Sequence, residues 1–261
     1  MAVSSTEDKL TNQQQRVLKL LFKFRFISAA LLGLVIGIRR VSAYEVLEKL
    51  VSKGLVTKVY RNEYRILGKP AYYYLSKSGV TTVRKLMDVK ESVVHALYKN
   101  DVATADFIEH CLKLTQLYVA IIPSLPDGSE VFTKSEINRF KQFPKNRPDL
   151  YVRTPAGKEA VLILVDDRPP YIIRKRLDEI ITHSEEDGWD RDYPRICFVL
   201  KDANAKNSFL YTTGKKLESM GVDDNEIVVL ATSLEATKGG SSFIWSDALD
   251  PKKSVTLFGW F

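Results

Sequence analysis

Apolar residues fall at helical spacing in three stretches near the start of the chain. Val17, Leu18, Leu21 and Phe24 make one stripe behind Thr11-Asn12-Gln13-Gln14. That tetrapeptide is a capping-box pattern, in which the Thr hydroxyl accepts an early backbone N–H and the Gln side chain reaches back. Ser28 has the hydroxyl to cap a short apolar helix through Leu34. The third stretch opens on Ser42-Ala43-Tyr44-Glu45, again a capping-box pattern, so a helix is expected to start there. It puts Ala43, Leu47, Leu50 and Val51 on one face and Tyr44, Glu48, Lys49 and Lys53 on the other. Gly54 stands where a left-handed C-terminal cap is wanted, which gives the helix about three turns. The period then changes. Leu55 to Tyr60 and Ala71 to Leu75 are β-branched and aromatic runs around an Asn62-to-Pro70 turn region, which reads as a hairpin. Ser76 caps a further helix, with Val80, Val83 and Met87 inward.

Three helices followed by such a hairpin form the core of a winged helix-turn-helix. Residues 11–88 are assigned to it, residues 1–10 to a tail and residues 89–100 to a linker or a further helix. Asp101 is expected to cap a long amphipathic helix bearing Phe107, Ile108, Cys111, Leu114, Tyr118 and Ile121, stopped at Pro123. Strands and helices then alternate. Val131-Phe132, Leu150 to Thr154, Ala160 to Asp166, Arg195 to Leu200 and Ile227 to Ala231 read as strands, Tyr171 to His183 and Ser208 to Met220 as helices. The short Pro155-to-Lys158 turn admits only a hairpin, whereas the later strands are separated by helices as parallel strands are. Residues 101–261 therefore read as an α/β domain, and the fold class as α+β overall.

Charge separates the two parts. Residues 1–100 hold 18 Lys+Arg against 7 Asp+Glu, or +11, and residues 101–261 hold 21 against 25, or −4. A basic half points to a polyanion partner. Two cysteines far apart fit a reducing compartment. Met1 to Leu10 is polar and acidic, unlike a secretory signal, and the apolar run Phe26 to Ile38, broken by Gly33 and Gly37, is too short for a bilayer. The expectation is a cytoplasmic protein with no membrane partner.

Double-stranded DNA is the partner that these residues favour. Arg39, Arg40, Ser42, Tyr44, Lys49 and Lys53 begin or face outward from the third helix, where a recognition helix meets base edges. Lys58, Arg61, Arg65 and Lys69 populate the wing, placed for phosphates or the minor groove. Glu45 and Glu48 work against this, since carboxylates repel phosphates. The alternative is a winged-helix adaptor that binds protein. Tyr72, Tyr73 and Tyr74 read either as a base-stacking surface or as a half-buried strand.

Helix, three-strand meander, helix and strand is also the order of the PD-(D/E)xK nuclease core. The second domain resembles it at Pro148-Asp149 and at Leu164-Val165-Asp166-Asp167-Arg168. Phosphodiester cleavage of that kind needs carboxylates that hold Mg²⁺ and a Lys that orients water. Asp149 suits the first role, but Leu164 offers no ligand where an acid is wanted. Shifting by two residues puts Asp166 and Arg168 on one strand face, and Arg is too basic to accept a proton. Glu109 of the long helix would have to supply a third carboxylate. The plainer reading has Asp149 and Asp166 shape turns or pair with Arg168, Arg174 or Arg176. No cofactor and no metal is expected, and Mg²⁺ enters only if the domain is a divergent nuclease. His95, His110 and His183 have no partner at ligand spacing.

Tyr73-x-Leu75-Ser76-x-x-Gly79 is similar to the Tyr-x-Leu-Thr-x-x-Gly signature that closes many winged-helix domains, with Ser keeping the capping oxygen. The two parts in this order resemble the replication-relaxation family of plasmids and mobile elements. The counterparts of its motifs are Val46-Leu47-Glu48-Lys49-Leu50 with Gly54, Pro148-Asp149, Leu164-Val165-Asp166-Asp167, and Arg174-Lys175-Arg176-Leu177. The resemblance implies a restriction-endonuclease-like second domain, degenerate at Leu164. It also implies a DNA-binding accessory role in plasmid replication, relaxation or mobilisation, with a second copy of the chain or other replication and mobilisation proteins as partners.

Overall fold

Thr11 starts the first helix, α1 (Asn12–Phe24), with both halves of the capping box in place. Gln14 N–H donates to Thr11 Oγ1 at 3.2 Å and Thr11 N–H to Gln14 Oε1 at 3.1 Å. The computed structural model describes residues 10–60, 64, 66–87, 91–166, 168–186, 189, 192–221, 227–238 and 244–258. The chain divides into two compact units, one ending at Leu112 and the other beginning at Lys113.

In the first unit, Val17, Leu18, Leu21 and Phe24 of α1 are buried, as their spacing requires. A two-residue strand, β1 (Ile27–Ser28), leads into α2 (Ala29–Ile36), which Ser28 caps and which ends on left-handed Gly37. Helix α3 (Arg40–Ser52) departs from the sequence reading. It starts two residues before Ser42, with Arg39 as an N-cap that makes no side-chain bond, so Ser42 and Glu45 lie within the helix and form no capping box. The turn that ends α2, with Gly37 left-handed, sets this start. Ile38 N–H bonds to Gly33 O at 2.9 Å, and a Cβ on Gly33 would sit 2.8 Å from Ile38 O. That close return folds the chain into α3 early. The buried face of α3 is Ala43, Val46, Leu47 and Leu50, with Val51 only partly covered.

Strands β2 (Val56–Val59) and β3 (Tyr72–Leu75) pair antiparallel, and β1 adds to the other edge of β3. Tyr72, Tyr73 and Tyr74 are all buried, so none is a free stacking surface. Tyr72 and Tyr74 pack on Phe26, with ring centroids 5.8 and 5.3 Å away, beside Ile108 and Cys111. The next helix, α4 (Lys77–Leu86), shows why Ser and Gly stand three apart in its opening motif. Ser76 Oγ accepts Gly79 N–H at 3.1 Å and donates to Gly54 O at 2.6 Å, while a Cβ on Gly79 would lie 1.9 Å from Leu55 O. Backbone cannot yield as a side chain can. Gly79→Ala is therefore expected to cost about 3 kcal/mol in a urea titration, and Ser76→Thr, which keeps the cap, less than about 1 kcal/mol.

The ambiguous stretch after α4 contains a helix, α5 (Glu91–Leu97). The long helix α6 (Ala105–Ile121) is capped by Thr104 and not by Asp101: Phe107 N–H donates to Thr104 Oγ1 at 3.3 Å. Asp101 belongs instead to a 3-10 turn (Asn100–Val102), which Arg25 fixes through Asn100 Oδ1 at 2.9 Å from Nε and 2.6 Å from Nη2.

The second unit is built on a mixed sheet. Its described strands are β4 (Glu130–Thr133), β5 (Leu150–Arg153), β6 (Glu159–Leu164), β7 (Arg195–Leu200), β8 (Val229–Ser233), β9 (Trp245–Asp247) and β10 (Ser254–Val255), in spatial order β10-β9-β8-β7-β6-β5-β4. The β4-β5-β6 meander is antiparallel and β6, β7 and β8 run parallel, as the turn and the intervening helices require. A short helix, α7 (Lys134–Ile137), follows β4; α8 (Pro170–Glu185) and α9 (Ala203–Met220) make the crossovers. Helix α9 begins five residues before Ser208 because Asp202 caps it, accepting Ala205 N–H at 2.8 Å. Alternation assigns the faces of the sheet. Val161, Ile163 and Val165 meet Leu177, Ile181 and Phe209 of α8 and α9, whereas Ala160, Leu162 and Leu164 meet Leu114, Leu117 and Ile121. Leu257 and Phe258 pack on the latter face, which accounts for the apolar end of the chain as far as it is described. Strands β9 and β10 are too short to announce themselves by alternation. Among the described residues no helix is long and apolar enough to cross a membrane.

Candidate nucleic-acid interface

Helix α3 carries its basic residues on the side away from its core. Arg39, Arg40, Tyr44 and Lys49 are exposed, and Ser42 and Lys53 are half-buried. Lys69, between the hairpin strands, is exposed; Arg61 and Arg65 lie outside the described residues.

Glu48, read from sequence as an obstacle to phosphates, is already occupied. Its Oε1 takes the Lys58 ammonium at 2.9 Å and the Tyr73 hydroxyl at 2.9 Å. Lys58 Nζ also donates to Tyr44 Oη at 3.3 Å and lies 4.9 Å from the centre of that ring. The hydrogen bond to Glu48 raises the Lys58 pKa above the ordinary lysine value, and burial followed by the same carboxylate raises that of the Tyr73 phenol. Thus Lys58 serves the helix face by neutralising Glu48, and Glu45 is left as the exposed acid of the pair. Glu48→Gln is expected to change stability by less than about 1 kcal/mol, since the pair is partly exposed, and to raise duplex affinity severalfold by releasing Lys58, read by fluorescence anisotropy.

The acidic strand ends are arranged differently. Asp149 directly precedes β5, is 4% exposed, and accepts Leu164 N–H on Oδ2 at 2.8 Å. The position where a second acid was sought thus gives a backbone donor and a buried leucine. Arg176 Nη1 stands 4.0 Å from the same carboxylate oxygen and Nη2 donates to Arg147 O at 2.7 Å. Lys134, Arg147 and Arg168 share this field. Burial lowers the pKa of Lys134 and of Arg176, and in each Asp149 acts in the opposite direction. Asp149 is the buried anion of this group, facing the half-buried Arg176 with Lys134 and Arg168 exposed around it.

Asp166 lies beyond the end of β6, so strand alternation does not put it on one face with Arg168 as expected. The two form a tight turn, Arg168 N–H to Asp166 O at 2.6 Å, and Lys113 Nζ approaches Asp166 Oδ1 at 3.5 Å. Asp167 lies outside the described residues, and Glu109 is exposed on α6. Among the described residues no three His, Cys, Asp or Glu side chains converge to hold a metal ion. Cys111 and Cys197 are buried, and burial raises the pKa of the latter.

Sequence alone missed the neutralisation of Glu48 and the part of Lys134 and Arg147 around Asp149. Both depend on contacts between elements and leave no local signal.

Among known proteins, the model of a family described as replication-relaxation matches residues 18–175, more than half of the chain, running from α1 into the first turns of α8. No curated protein and no solved structure matches.

Proposed function

The chain belongs to the replication-relaxation family, and on that premise we propose that it is a DNA-binding accessory protein in the replication, relaxation or mobilisation of a plasmid or other mobile element. Membership suggests the replication or relaxation role; the manner of binding is our reading of the first unit. Helices α1 to α3 with the β2–β3 hairpin are a winged helix-turn-helix, and α3 enters the major groove of duplex DNA with Arg39, Arg40, Ser42 and Tyr44 leading. Lys49, Lys53, Lys69, Arg61 and Arg65 supply phosphate contacts.

The observation that carries this reading is the outer face of α3. Its cations are exposed, and its central acid, Glu48, is paired with Lys58 and Tyr73. The charge of +11 over residues 1–100 supports the same partner.

The second unit fits a restriction-endonuclease-like core by its order of antiparallel meander, helix and parallel strand. In our reading it no longer cleaves. Asp149 is engaged by Leu164 N–H and Arg176, and Asp166 faces Lys113. A second copy of the chain, or another replication or mobilisation protein, is its proposed partner, in a cytoplasmic setting.

Anisotropy of a labelled duplex titrated with the full chain tests this. Binding should be tight at low salt, and log K should fall steeply with log salt. No binding to any duplex at low salt would favour a protein-binding adaptor instead.

A further inference from the structure

The second unit holds a cleft that shares only Asp166 with the reading above. It has a volume of about 420 Å³ and opens between α8 and α9 at the carboxyl ends of the parallel strands β6 and β7. Ile173, Leu200 and Phe209 line its apolar part; Arg168, Arg174 and Lys201 line it with three cations, all exposed. Ser208 on α9 adds a hydroxyl, whereas that of Thr212, one turn on, donates back to Ser208 O at 3.0 Å. Among the described lining residues the one acid is Asp166, whose carboxylate Lys113 approaches. The described lining is therefore net positive within the half of the chain that is net acidic. Crevices outside the carboxyl ends of parallel strands are where α/β sheets receive ligands, and a volume of this order suits a small molecule.

Two further features point to an anion. Helix α8 starts beside the cleft with no acidic residue in its first turn, so the positive end of its dipole favours an anion, although Pro169 and Pro170 carry no N–H and Ile172 N–H bonds to Pro169 O at 3.0 Å. Arg168 also belongs to the cation-rich field of Lys134 and Arg176, where Asp149 is the buried acid. A further negative charge there would relieve repulsion among the cations.

We propose that this cleft binds a nucleotide phosphate, with the phosphate on Arg168, Arg174 and Lys201 and the base over Phe209 and Ile173. An apolar wall joined to a basic rim selects a phosphorylated ring and not phosphate or nucleoside alone. The phosphate can come from a free mononucleotide or from the end of a DNA strand, which present the same chemistry.

Calorimetric titration of the full chain with dAMP tests the site, with deoxyadenosine and inorganic phosphate as partial probes. One saturable dAMP site is expected, and each partial probe should bind at least roughly tenfold more weakly. Arg168→Ala and Arg174→Ala should each weaken dAMP roughly tenfold. Thr212→Trp, a change at an exposed helical position, should fill the cleft and abolish binding while leaving the circular dichroism spectrum and duplex affinity unchanged. Displacement of bound dAMP by a 5′-phosphorylated single-stranded hexamer would assign the phosphate to a strand end; failure to displace it would assign it to a free nucleotide, and both uphold the site. No saturable heat with dAMP, or a dAMP affinity unmoved by all three substitutions, would overturn it. Because duplex binding through α3 is measured separately, either result stands apart from the function proposed above.

Discussion

Replacing Asp149 by alanine is expected to destabilise the second unit by about 3–5 kcal/mol, the loss typical of breaking a buried ion pair from one side. The side chain is 4% exposed, and its carboxylate accepts Leu164 N–H at 2.8 Å beside Arg176. Removing it strands a buried N–H and leaves Arg176 and Lys134 in a field of like charge, with burial already lowering the pKa of both. Asp149→Asn keeps an acceptor for Leu164 N–H but not the charge, so it should lose less. Urea unfolding followed by tryptophan fluorescence reads the difference, since Trp189 lies in the core that packs on β5. The sign separates two accounts of the same residue. A carboxylate kept for metal binding among other acids repels its neighbours, and its removal stabilises. Unchanged or increased stability of Asp149→Ala would refute the pairing described above.

The triple substitution Arg39→Ala, Arg40→Ala and Lys49→Ala is expected to weaken duplex binding by roughly a hundredfold or more near 0.1 M salt, and to lower the slope of log K against log salt by roughly three units. Counterion release sets both effects. Each cation that neutralises a phosphate frees nearly one condensed ion, and three such contacts multiply. All three residues are exposed and outside the α3 core of Ala43, Val46, Leu47 and Leu50, so the fold should persist. Anisotropy at several salt concentrations gives affinity and slope together. A uniform fall in affinity with no change of slope would mean that these residues act otherwise than on phosphates.

The local elements were the legible ones. Thr11, Ser28 and Ser76 each cap the helix that follows them, because the bond that defines a cap closes within three residues. The start of α3 was misread although Ser42-x-x-Glu45 is a sound local pattern, because the turn that ends α2 at Gly37 brings the chain back against Gly33 and overrides it. Asp101 gave way to Thr104 in the same manner, since Arg25 holds Asn100 in a turn. Strands β1, β9 and β10, of two or three residues, carry too few positions for alternation to register. In the candidate interface, the cations of α3 could be picked out by helical spacing. The state of Glu48 could not, because its partner Tyr73 lies 25 residues away across the hairpin. Arg176 could be named as one of three candidate partners for Asp149, whereas Lys134 and Arg147 reach that field only through the folding of the sheet.

On the function proposed above, α3 binds duplex DNA and the second unit does not cut it. Selection of bound sequences from random duplex DNA, with Mg²⁺ present and strand integrity read from the same pool, tests both parts. The account predicts enrichment of a shared sequence by the full chain, loss of that enrichment in the Arg39, Arg40 and Lys49 variant, and intact strands throughout. Enrichment that survives the triple substitution, or cleavage that requires Asp149 and Asp166, would contradict it.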